Sequence, residues 1–353
     1  MSGDDGQTRP LGVAVLGLGF MGAQHVDAYR IAAASGLPNR LVAVCDPDPA
    51  RREGARSGAG NLDQATGDLF DPAEVRAHAD PEPVLADPDV ELVSVCTWTD
   101  SHVPLSIAAL EAGKHVLVEK PVALTSEAVA ELLAVAEARP RQVCMPAMCI
   151  RFWPGWSWLA ERVRDGSLGA LRKLEVRRLA PAPDWSTDFY DDPARSGGVL
   201  VDLHVHDADF VRWCLGHPAA VTVTGEPEHL HARYEYAEGP EEVTVEAAWL
   251  RAPAARFSMG YRATFEEAVA DYSSGREPLL RLERRYQVVE PVALAQATGY
   301  EHEVRHVLEA VANLRHGEPP APLQAPLADA LPLLQLLEAE RRSLDAGGTR
   351  VEL

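Results

Sequence analysis

Much is missing from this chain of 353 residues, and each absence removes a class of protein. No apolar run reaches the roughly 18 residues of a membrane span, so none is expected. Cysteine is sparse. The five present (Cys45, Cys96, Cys144, Cys149, Cys214) form an odd set without CxxC spacing. That leaves no disulfide framework and no structural zinc. Cys45 and Cys96 fall in apolar strands and read as small core residues, so a reduced, cytoplasmic protein is expected. Basic residues are few: 33 Lys and Arg face 53 Asp and Glu, a formal charge of −20. Such a surface repels nucleic acid and anionic membranes, though a local phosphate pocket remains possible. The start, residues 1–10, lacks a basic segment followed by an apolar one. It is read as a flexible tail and not as a secretory signal.

What is present is a core-forming composition, 46% hydrophobic, in a chain long enough for two domains. Short apolar strands alternate with helical patterns over the first half. Strands are expected at 11–16, 41–45, 91–96, 115–118 and 142–148. Helices are expected at 22–35, 73–79, 101–112 and 126–138. This alternation implies a doubly wound parallel sheet in an α/β domain, residues 11–149. From 150 to 353 the pattern changes. Helices at 155–165 and 199–215 flank a strand at 171–179. Strand-like stretches then follow one another at 221–225, 230–236, 242–250 and 256–262, and helices return at 301–316 and 327–346. That order implies an α+β domain with a large, mostly antiparallel sheet. Residues 54–83 are long, charged and poorly periodic.

Gly17-Leu-Gly19-Phe20-Met21-Gly22 stands between the first strand and the first helix. In that setting G-x-G-x-x-G binds a dinucleotide. Gly17 permits the turn, Gly19 leaves space for the pyrophosphate, and Gly22 lets helix pack on strand. The free N–H groups and positive dipole end of the helix face the phosphates. Asp46 ends the second strand, 24 residues beyond Gly22. A carboxylate there accepts ribose hydroxyls and repels a 2′-phosphate, favouring NAD, with NADP possible because Arg51 and Arg52 lie close by. It could equally be a strand-ending turn. Thr97 and Trp98, leaving the next strand ahead of His102, would lie beside the cofactor, while Asp100 or Ser101 caps the helix.

Glu119-Lys120-Pro121 follows the strand at 115–118, which places a lysine in the crevice where parallel sheets bind ligands. Ser196-Gly197-Gly198 precedes a Val- and Leu-rich run carrying Asp202, His204, His206, Asp207 and Asp209. On an α-helix Asp202 and His206 share a face. A carboxylate there orients an imidazole and suits it to general base work. The polar residues could also be incidental. His-x-His-Asp occurs in metallohydrolases too, but on strand ends, and the Gly-Gly entry argues for a helix, so no metal is expected. Trp185, Tyr190 and Arg195 lie in a Pro- and Asp-rich loop and are candidates for a sugar-stacking wall.

Together these residues resemble the glucose–fructose oxidoreductase, inositol dehydrogenase and MocA family. The matching stretches are VAVLGLGFMGAQH at 13–25, AALEAGKHVLVEKPVALT at 108–125 and SGGVLVDLHVHDADFVRWCLG at 196–216, with a looser match at RFWPGW, 151–156. The resemblance implies an NAD- or NADP-binding Rossmann domain. Its implied cofactor contacts include Phe20, Met21, His102, Glu119 and Lys120. The implied catalytic residues are Lys120, holding the reacting oxygen, with Asp202 and His206 as the acid/base couple. Lys120 itself is the alternative acid/base. Arg151, from the looser match, joins the substrate residues. The resemblance further implies a sugar, inositol or polyol substrate oxidised at a secondary alcohol, and a homodimer or homotetramer formed through the second sheet. An NAD-dependent glycosidase acting by transient oxidation, or a non-catalytic cofactor-binding regulator, would share the fold. Two departures stand out: the loop that usually reads Thr-Pro-Asn or similar is Thr97-Trp98-Thr99 here, and the 54–83 segment is longer than usual.

Overall fold

The computed structural model describes residues 9–58, 60, 66–284, 290–318 and 322–353. Most of the expected N-terminal tail (residues 1–8) and part of the 54–83 segment lie outside these. The first sheet holds six parallel strands: β1 (Leu11–Leu16), β2 (Asn39–Cys45), β3 (Arg76–His78), β4 (Leu92–Val95), β5 (His115–Val118) and β6 (Cys144–Pro146), in the order β3-β2-β1-β4-β5-β6. Every residue of β1 is buried, as a strand covered on both faces requires. Helices α1 (Phe20–Ala34), α2 (Thr99–Glu111) and α3 (Ser126–Glu137) form the crossovers. The strand order reverses between β1 and β4, and a doubly wound sheet opens its ligand crevice at such a point.

The second sheet holds nine strands: β7 (Leu171–Pro181), β8 (Ala220–Glu226), β9 (His229–Glu235), β10 (Glu242–Leu250), β11 (Ser258–Phe265), β12 (Ala268–Ser273), β13 (Leu280–Arg284), β14 (Glu290–Pro291) and β15 (Val351–Glu352). Their order is β14-β13-β12-β11-β7-β10-β9-β8-β15. All neighbours pair antiparallel except β7 and β10, which run parallel from Lys173↔Glu242 to Pro181↔Leu250. One face is apolar and buried, with Leu174, Val176, Val243, Val245 and Tyr261. It packs on α4 (Pro154–Asp165) and α5 (Val205–Leu215), where Trp156 meets Phe210 edge-on at 4.8 Å and Tyr261 at 5.3 Å. The other face alternates outward with Lys173, Glu175, Arg177, His229 and His231.

Two helices close the chain, α6 (Gly299–Arg315) and α7 (Ala330–Asp345). A capping box starts α6: the Glu301 N–H donates to Thr298 Oγ1, and the Thr298 N–H to Glu301 Oε1. Helix α6 packs on α1, and α7 on α3. Glu338 of α7 accepts the Ser126 N–H at 2.7 Å and its hydroxyl at 3.0 Å, capping α3 from outside. The last fifty residues therefore bind the two halves together.

Two sequence expectations fail. Residues 73–79 are not a helix. Arg76–His78 forms edge strand β3, paired with Ala43–Cys45. Helix propensity there is overridden by an open strand edge. Residues 199–215 are not one continuous α-helix. Val199–Leu203 forms a π-helical turn before α5. The turn widens there, with the His204 N–H donating to the Val199 carbonyl at 2.8 Å.

Candidate active site

The glycine turn is explained by the chain at two positions out of three. Gly17 has φ +85°, and a Cβ there would press on the Cys96 carbonyl. A Cβ on Gly22 would collide with the Gly17 carbonyl, so helix and turn touch only through glycine. Gly19 differs. Its φ is −67°, ordinary for any residue, and a Cβ there would meet nothing within 4 Å. The protein itself does not need glycine at 19, but an incoming pyrophosphate does. The open space at the N-terminus of α1 thus fits the phosphates of a dinucleotide.

Asp46 is placed differently from the expectation. It is buried, with Oδ2 accepting the Leu18 N–H at 2.7 Å and Oδ1 the Asp48 N–H at 2.9 Å. The carboxylate braces the glycine turn and does not lie open to a ribose, although Oδ1 keeps a lone pair. Arg51 stands 3.5 Å away and offsets part of its charge. Beside the turn, the Phe20 ring lies directly against Gly60, so the long segment reaches the start of α1. Met21 is half-buried on the same turn.

The chain has three lysines, and only one reaches the crevice. Lys114 donates to the Asp87 and Val90 carbonyls, and Lys173 pairs with Glu242 on the sheet surface. Lys120 follows β5, with a cis peptide to Pro121. Its ammonium crosses to the second half, meeting the Asp202 carbonyl at 2.7 Å and Asp202 Oδ1 at 3.3 Å. Both side chains keep some exposure, 16% and 19%. Asp202 therefore holds Lys120. No hydrogen bond joins Asp202 to His206 among the described residues, where Asp202 Oδ1 is engaged by Lys120.

His206 nevertheless faces the same region. Burial, then the positive charges of Lys120 and Arg178, hold its pKa well below the usual imidazole range. Its Nδ1 is buried without a partner, while Nε2 is not enclosed in that way. His204, two residues earlier, points into the core. It lies 3.0 Å from both Tyr234 Oη and Glu340 Oε2. Burial opposes its charged form, but the Glu340 carboxylate outweighs burial and its pKa is raised.

Two residues expected at the cofactor act from behind it. Glu119 is buried, accepting from His25 Nε2 at 3.0 Å and from the Lys120 N–H at 3.0 Å. His25 Nδ1 in turn meets Ser94 Oγ at 3.0 Å. His102 is also buried, with its ring nitrogens 2.8 Å from the Pro121 carbonyl and 3.0 Å from the Thr97 carbonyl. Burial lowers its pKa against the pull of those carbonyls. It ties the two crevice loops together. Thr97 Oγ1 accepts from Ser101 Oγ at 2.6 Å. Helix α2 begins earlier than expected, at Thr99, and neither Asp100 nor Ser101 caps it.

Of the expected substrate residues, Arg151 is misplaced. It is wholly buried and grips Asp209 through two hydrogen bonds of 2.6 and 2.8 Å, and Asp329 at 2.7 Å. Its guanidinium anchors α5 to the chain before α7. Arg195 does reach the crevice rim, but bound: it pairs with Asp100 at 2.9 Å and lies over Phe189 at 5.3 Å. Trp185 and Tyr190 form an aromatic wall with Trp98. Trp98 is 43% exposed and stacks on Phe189 at 4.4 Å, and Tyr190 meets Trp98, Trp185 and Trp249 edge-on. Burial and the Asp202 charge raise the Tyr190 pKa. Phe189 is absent from the sequence expectations; it sits beside Tyr190 in a short helix, Thr187–Tyr190, too brief to carry a periodic signal. A cleft of about 460 Å³ runs between Ser57, Gly58 and Gly60 on one side and the stretches near Pro181–Ala182 and Ala255–Phe257 on the other, with Trp185 on its wall.

Comparison with known proteins agrees with this arrangement. Residues 11–146 match the GFO/IDH/MocA family model described as an oxidoreductase family with an NAD-binding Rossmann fold. Residues 156–269 match the GFO/IDH/MocA C-terminal domain. An inositol 2-dehydrogenase of Saccharopolyspora erythraea is 30% identical over 207 residues, 58% of this chain and 54% of the relative. The D-glucoside 3-dehydrogenase of Escherichia coli is 31% identical over 218 residues, 61% of this chain and 57% of the relative. The chain thus spans little more than half the length of these relatives. Levoglucosan dehydrogenase, solved with NADH and levoglucosan, shares the fold at a TM-score of 0.76 and 20% identity, covering 98% of this chain and 99% of that one. With both of its domains matched in order, the chain belongs to the GFO/IDH/MocA oxidoreductase family.

Proposed function

We propose that the protein is an NAD-dependent dehydrogenase that interconverts a secondary alcohol and a ketone on a sugar, inositol or related polyol. The observation that carries this reading is the meeting of Lys120 and Asp202 across the two halves, with His206 beside them at the carboxyl ends of β4 and β5. NAD held at the glycine turn supplies a hydride acceptor. The chain's residues do the rest. Two of the three Lys120 N–H donors are engaged by Asp202, which leaves one for the reacting oxygen. The fixed ammonium stabilises the oxygen as negative charge develops on it. His206 is neutral at physiological pH and accepts the hydroxyl proton at Nε2. Trp98, Trp185 and Tyr190 offer apolar faces with polar tips, suited to a sugar ring. The names of the inositol and glucoside dehydrogenases support the substrate class. Five unpaired cysteines fit a reducing cytoplasm. No described helix is long and apolar enough to cross a membrane. The open, polar face of the second sheet is the surface for self-association in this reading, which sedimentation would measure.

The direct test is a screen of inositols, glucosides and anhydrosugars with NAD, following nicotinamide absorbance. Gly19→Ala sharpens it. The variant should fold normally, because its Cβ enters open space, yet bind NAD at least about tenfold more weakly. Unchanged NAD affinity in Gly19→Ala, or no turnover of any polyol, would overturn the reading.

A further inference from the structure

Away from the crevice, three metal-ligand side chains converge on the open face of the nine-stranded sheet. His229 and His231 alternate along β9 and so project to one side. Their rings lie 4.8 Å apart. Glu246 of β10 is the cross-strand partner of His231. Its Oε1 stands 2.9 Å from His229 Nε2. One ligand atom from each of the three lies within 4.8 Å of the others. Both histidines are exposed and Glu246 half-buried, so solvent reaches the group. None of the three touches the crevice residues.

The donor set is specific in its chemistry. Two neutral imidazoles and one carboxylate suit a borderline ion such as Zn²⁺, with water in the fourth position. Bonds of about 2.0–2.1 Å in a tetrahedron put ligand atoms roughly 3.4 Å apart. His229 and Glu246 are already closer than that. His231 has to swing inward by roughly 1.5 Å, a small rotation for an exposed ring. Glu246 is also held from behind: Arg177, its partner on β7, forms an ion pair with it, Nε to Oε2 at 2.8 Å. That contact leaves Oε1 aimed at the histidines, as outer-shell partners aim ligating carboxylates. The rigid pairing of β7, β10 and β9 fixes all four Cα positions without help from loops.

We propose that His229, His231 and Glu246 form a binding site for one divalent transition-metal ion per chain, Zn²⁺ by its ligand set. The site rests on the sheet alone and is independent of the hydride-transfer chemistry, although it shares its face with the surface given above to self-association. The experiment uses the full chain, stripped with chelator and dialysed. Co²⁺ is titrated while the visible spectrum is followed, and Zn²⁺ then competes it away. One equivalent should bind, with the intense visible bands of a four-coordinate ion. His229→Ala and His231→Ala, exposed changes that leave the fold intact by circular dichroism, should each weaken binding at least about 100-fold. His316→Ala, on the same chain but outside the cluster, should leave it unchanged. Absence of a one-equivalent transition, or equal affinity in the double variant His229→Ala/His231→Ala, would overturn the site.

Discussion

The two walls of the crevice are built by different means. The first-half wall is backbone: a turn that must be glycine at 17 and 22, open space at 19, and strand ends tied by main-chain hydrogen bonds such as Glu119 N–H to the Val95 carbonyl at 2.9 Å. The second-half wall is made of side chains. Residues 202–209 send Asp202 to Lys120, His204 to Glu340, Asp207 to Arg178 and Asp209 to Arg151. One segment thus serves the site on one side and a buried ionic core on the other. A charged residue within a motif can belong to either, and sequence does not separate them.

Four measurements would break or sharpen that contrast. Lys120→Ala should have the largest effect, lowering kcat about 10³-fold or more while NAD binding changes little, because it removes charge stabilisation at the reacting oxygen. Retained turnover would strip the crevice of its role. Next, Arg151→Met should cost about 3–5 kcal/mol of stability in urea unfolding, since Asp209 is left buried and unpaired. Activity per folded molecule should hold. A changed KM with full stability would return Arg151 to the substrate.

The third concerns His204 and His206, whose pKa values move in opposite directions. A lowered folded pKa means the unfolded chain binds the proton first. His206 therefore costs stability as pH falls below about 6.5, by up to roughly 1.4 kcal/mol per pH unit. His206→Gln should flatten that acid slope. His204, raised, stabilises below about 6.5 and loses its contribution as pH rises through its folded pKa. His204→Gln should change the slope in the opposite sense. Thermal melts between pH 5 and 8 check both, and parallel slopes for the two variants would refute the assignment. The smallest effect belongs to Asp100→Asn. The Arg195 pair is exposed, so its loss should cost under about 1 kcal/mol and vanish in high salt.

Legibility in the sequence follows the same division. β1, β5 and β10 match their expected bounds, because each is a short apolar or alternating run closed by turn residues. Gly17 and Gly22 have the predicted tasks. Lys120 is found where the strand exit placed it. The errors arise where tertiary partners decide. Ala73–Ala79 reads as helix until β2 offers it an edge. Asp202 and His206 look paired from their four-residue spacing, but Asp202 meets a lysine 82 residues away, which no local pattern announces. Arg151 looks like a ligand-binding arginine because Asp209 and Asp329, which absorb its charge, are distant in sequence.

The Glu338 cap on α3 and the docking of α6 on α1 also bear on biosynthesis. A ribosome that has released the nucleotide-binding half has not yet made the residues that finish it. Two of its helices stay uncovered until residues 299–345 emerge, so that half should reach its full stability only after they are made.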